Sequence, residues 1–237
     1  PKEIQSIIED SGVKMIFYSL RHKESLTGTP EELLHMDIDS AEYDEICNPE
    51  NHRPFETVVV ESDDLASLMY TSGTTGLPKG VMFTYESYVS NVINAALTYK
   101  TNANQTSIIS TPMFHVLGLN DTALPLIMAG GTLVLHRYFD GAEINDLMAK
   151  FKTDYLIMIP TMFYGMLAAE NFNPENFENI EYLIQGGSAP LPAVQKKFES
   201  MGLTLINGYG LTEAPLAMVN TCLLYTSDAA DEEDSGD

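Results

Sequence analysis

A chain of 237 residues with 44% hydrophobic and 19% charged side chains can bury a substantial core as one or two domains. A net charge of −22 argues against nucleic-acid binding, which needs a basic face. No apolar run reaches the about 18 residues that a membrane-spanning helix requires. Cys47 and Cys222 are far apart, lack metal-ligand spacing, and point to a reducing, cytoplasmic setting.

The chain opens on Glu3 to Asp10, where Ile4, Ile7 and Ile8 recur at helical spacing; Ser11-Gly12 ends that helix and Val13 to Leu20 reads as a strand. Residues 21–64 are polar and broken by Pro30, Pro49 and Pro54, so they read as connecting structure with one short strand at Thr57 to Val60. Leu65 to Tyr70 is a strand-length apolar run that leads into Thr71, Ser72, Gly73, Thr74, Thr75 and Gly76. Glycines let backbone N–H groups turn toward an anion, hydroxyls add donors, and Lys79 adds a cation in an acidic chain. On composition alone the same cluster reads equally as a surface loop.

Val81 to Phe83 continues as strand, and Glu86 to Thr98 has a helical pattern. A strand follows at Thr106 to Thr111, a buried helix at Val116 to Met128, and a strand at Thr132 to His136. Next come a helix at Glu143 to Phe151, a strand at Tyr155 to Ile159, and a helix capped by Thr161 and running through Ala169. Tyr182 to Gln185 is a strand, Pro192 to Met201 a helix and Leu203 to Ile206 a strand. Strands alternating with helices predict an α/β fold with parallel-rich sheets flanked by helices, and ligands beyond the strands' carboxyl ends.

The string Tyr70-Thr-Ser-Gly-Thr-Thr-Gly-Leu-Pro-Lys-Gly-Val81 resembles the phosphate loop of the adenylate-forming superfamily, which includes acyl-CoA synthetases, luciferases and the adenylation domains of peptide synthetases. It is not the common P-loop, because Lys79 follows Gly76 by three residues. Pro112-Met-Phe-His-Val-Leu-Gly118 is similar to a second motif of that family. A lone histidine in apolar company is otherwise a core residue; the resemblance makes His115 a residue bordering the acyl pocket and the thiol route. Gly186, Gly187, Ser188 and Ala189 form a strand-to-helix turn which, by the same resemblance, lies along adenine and ribose. Asn207, Gly208, Tyr209 and Gly210 match the third motif, with Tyr209 placed to stack on the base, Thr212 to bond the α-phosphate and Glu213 to ligate Mg²⁺.

The resemblance implies ATP-dependent activation of a carboxylic acid to an acyl-adenylate, followed by transfer to CoA, with ATP, Mg²⁺ and CoA as cofactor and co-substrates and no nucleic-acid partner. His115, Thr212 and Glu213 are the candidate catalytic residues. Phe114, Leu117, Met158, Met162, Phe163 and Met166 are read either as an apolar acyl wall or as plain core. The run from Pro112 to Leu167 looks most like bacterial medium- and long-chain fatty acyl-CoA ligases. Two alternatives stand beside this reading: a non-catalytic ATP-binding module, and an adenylation domain for an amino or aryl acid. Residues 1–220 resemble part of the family's amino-terminal domain, and 221–237 turn acidic and polar, which predicts a disordered or non-native tail. The family's ribose-binding Asp, hinge and small domain with its catalytic Lys are not matched, so the piece is expected to be inactive alone.

Overall fold

The computed structural model describes residues 2–51, 54–72 and 77–220, which fall into two compact units, residues 1–85 and 86–237. In the first, α1 (Lys2–Ser11) precedes β1 (Met15–Tyr18), which pairs in parallel with β2 (Leu34–Asp37). α2 (Ala41–Cys47) starts at Ser40, whose hydroxyl accepts from the Tyr43 N–H at 3.2 Å. β3 (Leu65–Thr71) and β4 (Lys79–Thr84) form an antiparallel hairpin whose last pair is Thr71 with Lys79. The Tyr70 hydroxyl donates to Asp10 at 2.6 Å, tying the hairpin to α1.

Two expectations for residues 21–64 need correction. β2 and α2 are regular elements inside the stretch read as irregular. The strand expected at Thr57 to Val60 is absent; these residues pair with nothing in the described sheets, and Val59 is 88% exposed. β-branched side chains favour extended backbone, but a strand needs a neighbour to take up its N–H and C=O groups.

The second unit is built on a six-stranded sheet in the order β10-β9-β8-β7-β5-β6. β5 (Thr106–Ile109), β6 (Thr132–Leu135), β7 (Tyr155–Met158), β8 (Tyr182–Gln185) and β9 (Leu205–Leu211) are parallel; β10 (Ala214–Asn220) closes one edge antiparallel to β9. Strand alternation sends β7 side chains to two faces. Leu156 and Met158 join Ile144 and Met148 of α6 (Gly141–Phe151), Phe163 and Met166 of α7 (Pro160–Ala168), and Val194 and Phe198 of α8 (Pro192–Ser200). Tyr155 and Ile157 join Ala95 and Tyr99 of α3 (Tyr85–Tyr99) and Leu126 of α5 (Leu124–Ala129). The sheet is thus covered on both faces, which is why its strands read as continuous apolar runs. Each fully buried large side chain contributes about 1.5–3 kcal/mol.

Local details set the helix boundaries. Asp140 accepts from the Ala142 and Glu143 N–H groups at 2.9 and 3.0 Å and starts α6. α7 begins at Pro160 after Ile159, not at a Thr161 cap, because proline's missing N–H costs nothing at the first helical position. The helix expected from Val116 to Met128 is α4 (Val116–Gly118), a π-turn (Leu119–Ala123) and α5, ended by Gly130 at φ 81°. In the π-turn the Leu124 N–H reaches back to the Leu119 carbonyl. His136 Nε2 lies 2.6 Å from Glu143 Oε2 and its Nδ1 3.1 Å from Ser110 Oγ, a brace that links α6 to residues just beyond β5 and β6.

Candidate functional site

Beyond the carboxyl ends of β5, β8 and β9 the second unit opens a small cavity and a larger cleft. The cavity, about 30 Å³, is lined by Tyr99, His115, Val116, Leu117, Asp121, Ile184, Gly186, Gly187, Gly208, Tyr209, Gly210, Pro215 and Leu216. The cleft, about 790 Å³, is lined by Gln185, Gly187, Ser188, Ala189, Pro190, Asn207, Gly208, Tyr209, Gly210, Leu211, Met218 and Val219. Its size is that of an ordinary small-molecule site.

The turn after β8 is made possible by two adjacent glycines. A Cβ on Gly186 would stand 3.0 Å from the Gly208 carbonyl oxygen, so the turn and β9 lie backbone to backbone. Gly187 sits at φ 76°, the left-handed region where a side chain is strained. Asn207 to Gly210 belong to β9 and are not a loop, because β10 supplies their antiparallel partners: Val219 opposite Gly208, Met218 opposite Tyr209. Tyr209 is 57% exposed and bridges cavity and cleft.

His115 stands on the residue before α4, exposed at the cavity and not in the core. Its Nδ1 accepts from the Leu117 N–H at 3.2 Å, which leaves Nε2 as the N–H nitrogen of the neutral ring. Of the six residues read as an acyl wall, only Leu117 lines the cavity. Met158, Phe163 and Met166 are fully buried in the core with Met162 packed against them, and Phe114 is 85% exposed. They are core because α7 lies against the face of the sheet that Met158 points to, not beyond the strand ends.

Thr212 and Glu213 occupy the turn between β9 and β10, outside both linings, with Glu213 exposed. Among the described residues no three His, Cys, Asp or Glu side chains cluster as a metal site. A lone accessible carboxylate still suits Mg²⁺, which is usually held by one or two carboxylates together with substrate phosphates. Thr71, Ser72 and Lys79 belong to the first unit, where Ser72 and Lys79 are exposed at the end of the β3–β4 hairpin at which one strand connects to the next. Gly73, Thr74, Thr75 and Gly76 lie outside the described residues, as do residues 221–237.

Three site residues escaped the sequence reading. Gln185 ends β8 and its amide donates to Asn207 Oδ1 at 2.8 Å. Asp121 and Tyr99 line the cavity from the π-turn and α3. Burial pushes the Asp121 carboxyl up to about 7, the Asn91 amide opposing that rise. Burial, then the Asp121 charge, raises the Tyr99 hydroxyl well above its ordinary range. The signal available in sequence was the polar trio Asn120-Asp121-Thr122 inside an otherwise apolar helical run.

The family described as "AMP-binding enzyme" matches residues 1–236. A feruloyl-CoA synthase from Amycolatopsis sp is 28% identical over 213 residues, 90% of this chain and 42% of that protein. A medium-chain-fatty-acid–CoA ligase from Ectopseudomonas oleovorans is 32% identical over 179 residues, 73% of this chain and 33% of that protein. ATP-bound MatB from Rhodopseudomonas palustris superposes with a TM-score of 0.81 at 23% identity, covering 92% of this chain and 44% of that one. The inhibitor-bound N-terminal domain of FACL13 from Mycobacterium tuberculosis gives 0.77 at 26% identity, covering 90% and 54%. The chain spans less than half the length of these curated relatives. No helix among the described residues is long and apolar enough to cross a membrane.

Proposed function

Because the chain belongs to the AMP-binding enzyme family, we propose that it forms the nucleotide- and acid-binding part of an ATP-dependent acid–thiol ligase. The observation that carries this reading is that cavity and cleft share Gly187, Gly208, Tyr209 and Gly210. A nucleotide in the cleft then has its α-phosphate end at the cavity mouth, beside His115.

A carboxylate resists displacement because oxide is its leaving group. One carboxylate oxygen instead attacks the α-phosphorus of ATP; the new acyl–phosphate bond forms as the α–β bridging oxygen departs with pyrophosphate. The CoA thiol, its proton passing to solvent, then attacks the acyl carbon and AMP leaves with the bonding pair. Such chemistry asks the protein mainly for positioning and charge stabilisation. In this proposal the donors of residues 71–76 and Lys79 hold the β- and γ-phosphates, Thr212 bonds the α-phosphate, and Glu213 would hold Mg²⁺, whose charge offsets that of the phosphates. Tyr209 stacks on adenine, with Gly186 to Ala189 and Asn207 along the nucleoside. His115 borders the acid and the thiol path.

The acid is read as one with an apolar body, fatty or aryl. The medium-chain relative supports the first and the feruloyl relative the second. The cytoplasmic setting read from the two cysteines suits ATP and CoA as co-substrates. Calorimetric titration of the purified protein with Mg·ATP and with 5′-O-sulfamoyladenosine tests the nucleotide site; absence of binding to both overturns the proposal. Acid-dependent release of pyrophosphate by the full-length protein tests the chemistry.

A further inference from the structure

The brace of Glu143, His136 and Ser110 lines neither cavity nor cleft and serves no step of the chemistry above. Its last member nevertheless leads directly into the segment that carries His115. Ser110 is 8% exposed, whereas Pro112, Met113, Phe114 and His115 are all exposed, so these four take their position from their two ends. At the far end the His115 N–H donates to the Pro112 carbonyl at 3.1 Å. A Cβ on Gly118 would stand 2.5 Å from that same carbonyl oxygen, so the segment lies against α4 without slack. At the near end the His136 N–H donates to the Ile109 carbonyl at 2.9 Å, and His136 Nδ1 lies 3.1 Å from Ser110 Oγ.

Glu143 sets the direction of these bonds. An ionised carboxylate only accepts, so at 2.6 Å it holds the proton of the neutral ring on His136 Nε2. Nδ1 is then bare and accepts from the Ser110 hydroxyl. Asp140 in turn accepts from the Glu143 N–H at 3.0 Å, which ties the carboxylate's own backbone to the start of α6.

We propose that His136 is a positioning residue for His115: it anchors Ser110 and, through the Pro112 carbonyl, sets where the His115 ring stands at the cavity. The inference rests on the ligase reading above, in which His115 borders the acid and the thiol path. A misplacement of about 1 Å caused far from the chemistry can cost on the order of a hundredfold in rate. Losing one anchor of a segment that keeps the other is expected to cost about tenfold.

Nitrogen NMR of the purified protein reads His115 directly, through its ring and through the Leu117 N–H that its Nδ1 accepts. His136→Leu removes the acceptor for Ser110 and Ser110→Ala removes the donor; both are expected to move these signals. Asparagine can set its Oδ1 where Nδ1 stood, so His136→Asn is expected to return them toward wild type although it loses Glu143. In the full-length protein the two steps are measured apart, with decanoate and ferulate as acids. One is pyrophosphate release without CoA; the other is acyl-CoA formation when CoA meets the preformed acyl-adenylate. His136→Leu and Ser110→Ala are expected to slow the second step about tenfold relative to the first, and His136→Asn to restore it. A brace that only stabilises the fold lowers both steps together, through the folded fraction. That result, or unmoved His115 and Leu117 signals in Ser110→Ala, a change of one oxygen atom, overturns the inference alone. Pyrophosphate release by the wild type with neither acid overturns the ligase reading and this inference with it.

Discussion

The side-chain amide of Gln185 donates a 2.8 Å hydrogen bond to Asn207 Oδ1, joining the end of β8 to the residue opposite it within β9. Gln185 is buried and its own Oε1 has no partner, so Asn207 is what satisfies this amide. The pair fixes the floor of the cleft. Asn207→Ala is expected to destabilise the protein by about 1–3 kcal/mol through the stranded amide. Asn207→Asp keeps an acceptor for Gln185, and is expected to retain most stability while losing the Asn207 N–H₂ donors and with them nucleotide affinity. Urea unfolding and Mg·ATP titration separate the two effects; equal loss of stability in both variants refutes the assignment.

His115→Ala removes the acceptor for the Leu117 N–H, a cap worth roughly 1 kcal/mol. Asparagine is itself a good cap, so His115→Asn is expected to restore thermal stability. If His115 serves the thiol path, neither variant recovers acyl transfer in the full-length protein and both still bind Mg·ATP. Recovery of transfer by His115→Asn assigns the histidine to the helix start alone.

Asp121 makes stability depend on pH. Its carboxyl is pushed up to about 7 in the folded protein, against 3.8 for the free group. Between those values the native state holds a proton that the unfolded chain has released, so stability is highest at the acid side of the window and falls as pH rises through it. Across the whole window the linkage is on the order of 4 kcal/mol. Asp121→Asn cannot titrate, and its melting temperature is expected to gain on the wild type between pH 5 and pH 8. A constant difference across that range rules the carboxyl out as the titrating group.

Gly187→Ala places a Cβ at φ 76° and 3.3 Å from Ile159 Cγ2. The backbone term is about 1–2 kcal/mol. Loss of stability together with weaker nucleotide binding is expected, since the turn lines both cavity and cleft. Thermal melts and Mg·ATP titration report the two, and an unchanged melt contradicts the strained turn.

Lys79→Ala is expected to weaken Mg·ATP by about thirtyfold, the value of one charged hydrogen bond near 2 kcal/mol, while leaving the melt unchanged because Lys79 is exposed. Unchanged ATP affinity assigns Lys79 to the surface.

The sequence made the second unit's alternation legible because buried parallel strands such as Tyr155–Met158 carry their signal within themselves. β10 went unread: Pro215 argues against a strand, and only pairing with β9 makes one there. The glycine turns were legible as turns, since backbone conformation restricts residue choice locally. Asp121 and Tyr99 were not, because packing of the π-turn against α3 brings together residues separated in the chain. Met158, Phe163 and Met166 were ambiguous because apolar spacing tells which residues are covered, not what covers them.

A π-turn is an α-helix with one residue inserted. Deleting a single residue within Leu119–Ala123 would restore α geometry and, with α5 held by Leu126 against the sheet, would swing the preceding side chains by about 100° around the rod. Asp121 would leave the cavity wall without any change of amino acid. The chemistry of the cavity wall can therefore change in a discrete jump, by the loss or gain of one codon, as well as by gradual substitution of its residues.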